Sequence, residues 1–164
     1  PKPQNPKTPK PQNPIQLIKM KFLLFVALSL LVTSTLGAHV LTPRNSDDAL
    51  NHLQGNNYNI YLLFFYQPNP IDEVLRTTNN DIERLVQGVL EENPDIMYAK
   101  VDESNPEFGK LFNVVGVTVT PAILLIVHGK GVWISGTNTR LMVERIRDFI
   151  PAFKQAAAHH TSPY

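Results

Sequence analysis

The sequence contains no cysteine. That excludes structural disulfides, thiolate catalysis and zinc–thiolate sites, so the fold must rest on its apolar core. No Asn-x-Ser/Thr triplet occurs, so N-glycosylation is not expected. Charge is modest, at 18% of residues, and unevenly placed. Residues 1–38 carry no acid and five lysines: Lys2, Lys7, Lys10, Lys19 and Lys21. Residues 39–164 hold ten basic and fourteen acidic residues, a net charge of −4 hidden within the chain's formal +1. The sequence pI near 8.5 therefore belongs mostly to the leader. A mildly acidic domain is a poor candidate for binding nucleic acid through phosphate contacts. What is present is ordinary for a globular chain: 164 residues, 43% of them hydrophobic, enough for one domain with a core.

Residues 1–14 read PKPQNPKTPKPQNP, with PKPQNP occurring twice. Such a Pro-rich polar stretch cannot bury apolar surface, and residues 1–19 are expected to be a disordered or untranslated leader. Met20 opens a different pattern, MKFLLFVALSLLVTSTLGA. Lys21 supplies a short positive region, residues 22–32 are apolar, and Thr35, Gly37 and Ala38 are small residues at a cleavage point. Residues 20–38 thus read as a signal peptide, too short to span a bilayer comfortably. No second long apolar run follows, so the mature region from residue 39 is expected to be soluble in the ER lumen or outside the cell. The terminal TSPY is not an ER-retrieval signal.

The mature region alternates strand and helix patterns. Asn45 or Ser46 caps a short helix that ends near Gly55. Residues 58–66, YNIYLLFFY, form a near-continuous aromatic and β-branched run, the pattern of a strand buried on both faces. Asn69 is the expected N-cap of a long helix with Pro70 as its first residue. Its inward stripe is Ile71, Val74, Leu75, Ile82, Leu85, Val86, Val89 and Leu90, and Asn93-Pro94 ends it. Residues 96–101 give the next strand, and Asn105-Pro106 opens a short helix. Pro121 precedes an apolar strand over 122–127. Residues 128–131, His-Gly-Lys-Gly, predict a hairpin turn leading to a short strand over 132–135. A final helix spans 137–153, with Leu141, Val143, Ile146, Phe149 and Ile150 inward. Residues 155–164 are expected to be a flexible tail. Helices between strands imply a parallel portion, and the glycine hairpin an antiparallel end. The predicted class is α/β, a mixed sheet of about four to five strands flanked by helices. Val40-Leu41 is a possible first strand.

Several motifs then agree in order and separation. Residues 64–73, FFYQPNPIDE, resemble the strand-to-helix segment of the thioredoxin-like superfamily, where an aromatic pair and Ala-Pro-Trp precede Cys-x-x-Cys. Residues 99–121, AKVDESNPEFGKLFNVVGVTVTP, resemble its second signature, a strand ending Val-Asp, an Asn-Pro helix start and an approach to a cis-proline. Gly136 falls where the family keeps a glycine before its last helix. The resemblance covers about residues 41–154, within a predicted domain over 39–154. With the secretory leader, it is closest to redox-inactive domains of the protein disulfide isomerase type.

The departures from that family determine the functional reading. Pro70 and Glu73 stand at the two cysteine positions, with Ile71 and Asp72 between. Phe64 replaces a buried acid that redox members use for proton transfer, and Asn69 replaces the tryptophan. No enzyme activity and no cofactor or metal is expected. What the resemblance still implies is binding: the residue before a cis-proline has backbone free to pair with an extended polypeptide. The candidate binding residues are Gln67, Pro68, Asn69, Pro70, Thr120 and Pro121, and the implied partner is a polypeptide client or a partner protein.

Other constellations are weaker. Asp72 and Glu73 are explained by the positive end of a helix. Asp102, Glu103 and Asn105 lack the spacing of a calcium loop. His159-His160 lies on a tail that preorganises nothing. His128 is expected to be solvated in its turn, and Trp133 to lie in or beside the core. Two readings remain open: a non-catalytic binding module of the secretory pathway, or a structural subunit of a larger assembly whose groove is not in use. An exposed apolar patch away from the 67–70 loop would favour the second.

Overall fold

The computed structural model describes residues 40–55 and 57–164. The leader predicted over 1–19 and the signal peptide predicted over 20–38 lie outside the described residues. In chain order the elements are α1 (Ser46–Gln54), β1 (Ile60–Tyr66), α2 (Glu73–Glu92), β2 (Ile96–Asp102), a 3₁₀ turn (Pro106–Phe108), α3 (Gly109–Val115), β3 (Ala122–Val127), β4 (Lys130–Ser135) and α4 (Thr139–His159). The strands form one sheet in the order β2-β1-β3-β4. β1 and β2 are parallel, and β3 is antiparallel to both β1 and β4. The possible strand at Val40-Leu41 is a single parallel bridge, in which the Leu41 N–H donates to the Tyr98 carbonyl at 2.7 Å.

Strand alternation explains how one run supplies two cores. Ile60, Leu62 and Phe64 point to one face, where they meet Ile82, Val86 and Val89 of α2 and Ile146, Ile150 and Phe153 of α4. Tyr61, Leu63 and Phe65 point to the other, against Leu50 and Leu53 of α1 and Leu111 of α3. β1 and β3 are central and buried on both faces, hence their continuous apolar sequence. Ser46 joins α1 to α3: its Oγ donates to the Glu107 carbonyl at 2.7 Å and accepts from the Leu111 N–H at 3.0 Å.

Several local expectations need correction. α2 begins at Glu73, not Pro70, and Asp72 rather than Asn69 is its N-cap; the Asp72 carboxylate accepts the Val74 N–H at 2.8 Å. Asn69 sits at φ 47°, in the left-handed region, whereas an N-cap needs extended backbone. Ile71 and Val74 are therefore exposed rather than part of the inward stripe. The hairpin turn is His128-Gly129 alone, with φ of 52° and 73°, the conformation that suits a two-residue hairpin. β4 thus starts at Lys130, and Gly131 lies inside it, where a Cβ would come within 2.9 Å of Leu124 Cδ1 and of the Leu125 carbonyl oxygen.

α4 is capped by Asn138, which accepts the Leu141 N–H at 3.1 Å, and it runs to His159. It continues well into the segment expected to fray, because Ala156 and Ala157 are buried and the Ala156 carbonyl accepts a hydrogen bond from His128 Nε2 at 3.1 Å. His128 is accordingly half-buried, not solvated. The inward stripe is Met142, Val143, Ile146, Ile150 and Phe153; Leu141 and Phe149 are exposed, about 100° to the side of Met142 and Ile150. Among the described residues no helix is long and apolar enough to cross a membrane.

Candidate functional site

β1 ends at Tyr66, and residues 67–72, Gln-Pro-Asn-Pro-Ile-Asp, lead to α2. Pro68 and Pro70 have no N–H, so the segment cannot extend the parallel ladder with β2. Its carbonyls are held instead by α2 side chains. Asn79 Nδ2 donates to the Gln67 carbonyl and Arg76 Nη2 to the Pro70 carbonyl, each at 3.1 Å. Gln67 and Asn69 are exposed, Pro68 is half-buried and Pro70 is buried. A thiol in place of Pro70 would lie before the helix cap, off the first turn that stabilises a thiolate.

Phe64, at the family's acid position, is fully buried and stacks on Tyr66 with ring centroids 5.4 Å apart. It is a core residue with no polar role. Beside the loop opens a cavity of about 350 Å³, lined by residues 67–70 together with Tyr66, Arg76, Asn79, Asn80, Glu83 and Lys100. Lys100 Nζ pairs with Glu83 Oε1 at 2.8 Å and lies 4.7 Å above the Tyr66 ring. Nearby, burial first and then the charge of Glu83 push the Tyr98 hydroxyl well above its ordinary range. That phenol therefore stays protonated and neutral.

Thr120 and Pro121 are half-buried, and the bond between them is cis. Because Phe65 pairs with Ala122, they lie at the same end of the sheet as the loop. Glu103 connects the two: its N–H donates to the Tyr66 carbonyl at 2.9 Å, and its carboxylate accepts the Thr120 hydroxyl. The strand ladders stop at Ala122, and among the described residues the Thr120 backbone has no backbone hydrogen-bond partner. All six predicted residues thus gather at one sheet end, but Thr120 and Pro121 do not line the 350 Å³ cavity. Sequence reading misses Arg76, Asn79, Glu83, Lys100 and Glu103. Asn79 alone carries a signal, as a polar residue within the apolar stripe between Leu75 and Ile82.

A second feature lies elsewhere. Leu50, Leu53, Val114, Val115 and Trp133 line an open groove of about 260 Å³ on the α1–α3 face. Trp133 is 40% exposed, with its ring 5.5 Å from that of Phe65.

No family model matches the sequence, and no curated protein matches it. Solved structures do. Thioredoxin from Trypanosoma brucei brucei is 19% identical, covering 68% of this chain and 91% of that one, with a TM-score of 0.53. Thioredoxin from Fasciola hepatica is 22% identical, covering 67% of this chain and 97% of that one, with a TM-score of 0.52. Thioredoxin f2 from Chlamydomonas reinhardtii is 16% identical, with coverage of 68% and 95% and a TM-score of 0.53. Likeness at this identity is likeness of fold. These proteins share the mixed sheet and its flanking helices with a chain that has no dithiol to exchange. The chain has the thioredoxin-like α/β fold, built here without a single cysteine.

Proposed function

We propose that this chain is a non-catalytic polypeptide-binding module of the secretory pathway, of the kind found among redox-inactive protein disulfide isomerase domains. The observation that carries the reading is the Thr120 backbone, which has no backbone partner among the described residues and lies at the same sheet end as the loop at 67–70. Unpaired N–H and C=O groups at the end of a ladder are a template for an extended segment, and backbone pairing tolerates varied client sequences. Gln67 and Asn69, both exposed at the same end of the sheet, offer side chains able to donate and accept hydrogen bonds. The secretory address rests on residues 20–38. The net charge of −4 over residues 39–164 supports a protein partner over nucleic acid.

A structural role is the second reading, and the Trp133–Val114 groove favours it. Most of its lining side chains are apolar, and it is open and shares no lining residue with the loop's cavity. A photo-crosslinking amino acid placed at Gln67 or at Val114 of the full chain separates the two. With a purified unfolded polypeptide as bait, adducts from position 67 and not 114 support the binding module. Adducts from 114 alone move the function to the groove.

A further inference from the structure

We infer that the cavity beside residues 67–70 selects acidic segments: a client carboxylate binds the Arg76 guanidinium while a client backbone N–H meets Asn79. This rests on the polypeptide-binding reading and gives that site a chemical preference. Three charged side chains line the cavity, and two of them, Lys100 and Glu83, neutralise each other at 2.8 Å. Arg76 is the third. Among the described residues it has no carboxylate within ion-pair distance. Its bond to the Pro70 carbonyl orients the guanidinium and uses one of five donors, leaving donors for a carboxylate. Asp72, four residues before Arg76, caps α2 through Oδ1 and makes no ion pair with the guanidinium.

Asn79 supplies an independent observation. It is 8% exposed, and its Oδ1 has no hydrogen-bond partner. The amide orientation is fixed by chemistry, because a flip would set Oδ1 against the Gln67 carbonyl, acceptor against acceptor. An acceptor with almost no surface of its own is therefore left without a donor on a residue that lines the cavity, so a client N–H must press between its neighbours to reach it. A buried polar group without a partner calls for explanation. A peptide N–H is the donor it lacks, and an acidic side chain on the same segment is what Arg76 lacks. Net charge at the cavity is positive on an otherwise acidic domain, so the preference is local and salt-sensitive.

The test uses the isotope-labelled full chain and three blocked heptapeptides in a Gly/Ser background, with Glu, Gln or Lys at the centre. Affinities are read by NMR titration at low salt. The Glu peptide is expected to bind about fivefold tighter than the Gln peptide, a typical gain for one partly exposed charge-assisted contact, and the Lys peptide weakest of the three. Arg76→Gln, which keeps a donor for the Pro70 carbonyl, should abolish that ratio. Arg76→Lys should keep part of it, and 0.5 M salt should shrink it. Equal binding of Glu and Gln peptides, or a preference that survives Arg76→Gln, overturns the inference while leaving peptide binding intact. No binding of any peptide overturns both. If Arg76→Gln does not fold, the comparison of peptides on the unsubstituted chain decides alone.

Discussion

Asn79, in the second turn of α2, donates from Nδ2 to the carbonyl of Gln67 at 3.1 Å, so a helix side chain sets the path of the loop that leaves β1. The same residue leaves Oδ1 unpartnered in a nearly buried position. One side chain thus positions the candidate site and weakens the fold around it.

That conflict yields a prediction. Asn79→Leu loses one hydrogen bond to an exposed residue, worth about 1 kcal/mol. It also removes an orphaned acceptor costing about 1–3 kcal/mol and adds apolar contact beside Ile82. The balance favours the variant by about 1 kcal/mol, read as a higher urea midpoint. The loop at 67–70 should loosen, read as faster amide exchange. A loss of more than about 1 kcal/mol would mean that the loop contact outweighs the orphan.

Two glycines should respond oppositely to alanine. At Gly131 a Cβ meets Leu124 and the Leu125 backbone at 2.9 Å, so Gly131→Ala is expected to destabilise by about 1–3 kcal/mol. Gly88 lies within α2, and a methyl group added there would have nothing within 4 Å, so Gly88→Ala should stabilise by about 0.5–1 kcal/mol. Urea denaturation of both variants checks the pair.

The C-terminal end of α2 is joined to the middle of α4 by Glu92 and Arg147, through two bonds of 3.1 and 2.9 Å. The hydrogen bond from Arg147 is the main cause that holds the Glu92 carboxyl below its ordinary 4.5, with Arg147's charge adding to it. A lowered folded pKa means a contribution present above the unfolded value and lost as pH falls through the folded one. The unsubstituted chain and Glu92→Gln should therefore differ in Tm at neutral pH and converge in acid below 4.5. Both groups are solvent-exposed, so the difference should be small and should shrink in high salt. A difference that grows on acidification would contradict the assignment.

The fold is legible in the sequence because its signals are local or periodic. The run at β1 reads as a strand buried on both faces and residues 122–127 as an apolar strand, and the structure has both; of Asn45 and Ser46, it makes Asn45 the cap of α1. The helix faces are harder. Leu141 and Met142 are both apolar, and only the sheet beneath α4 selects Met142. The start of α2 misleads because Asn-Pro is a common helix opening, and the left-handed Asn69 cannot be seen in composition. The candidate site is legible only in its backbone-turning residues. Arg76, Glu83 and Lys100 look like solvated surface in sequence, and only the packing of α2 beside β2 makes them one wall.

The central claim is that an extended polypeptide pairs with the backbone at Thr120. The most direct measurement is an NMR titration of the isotope-labelled full chain with an unfolded, cysteine-free polypeptide. Saturable amide shifts clustered at residues 67–72 and 117–122 are the predicted result. Shifts confined to the surroundings of Val114 and Trp133, or none at millimolar ligand, would contradict it.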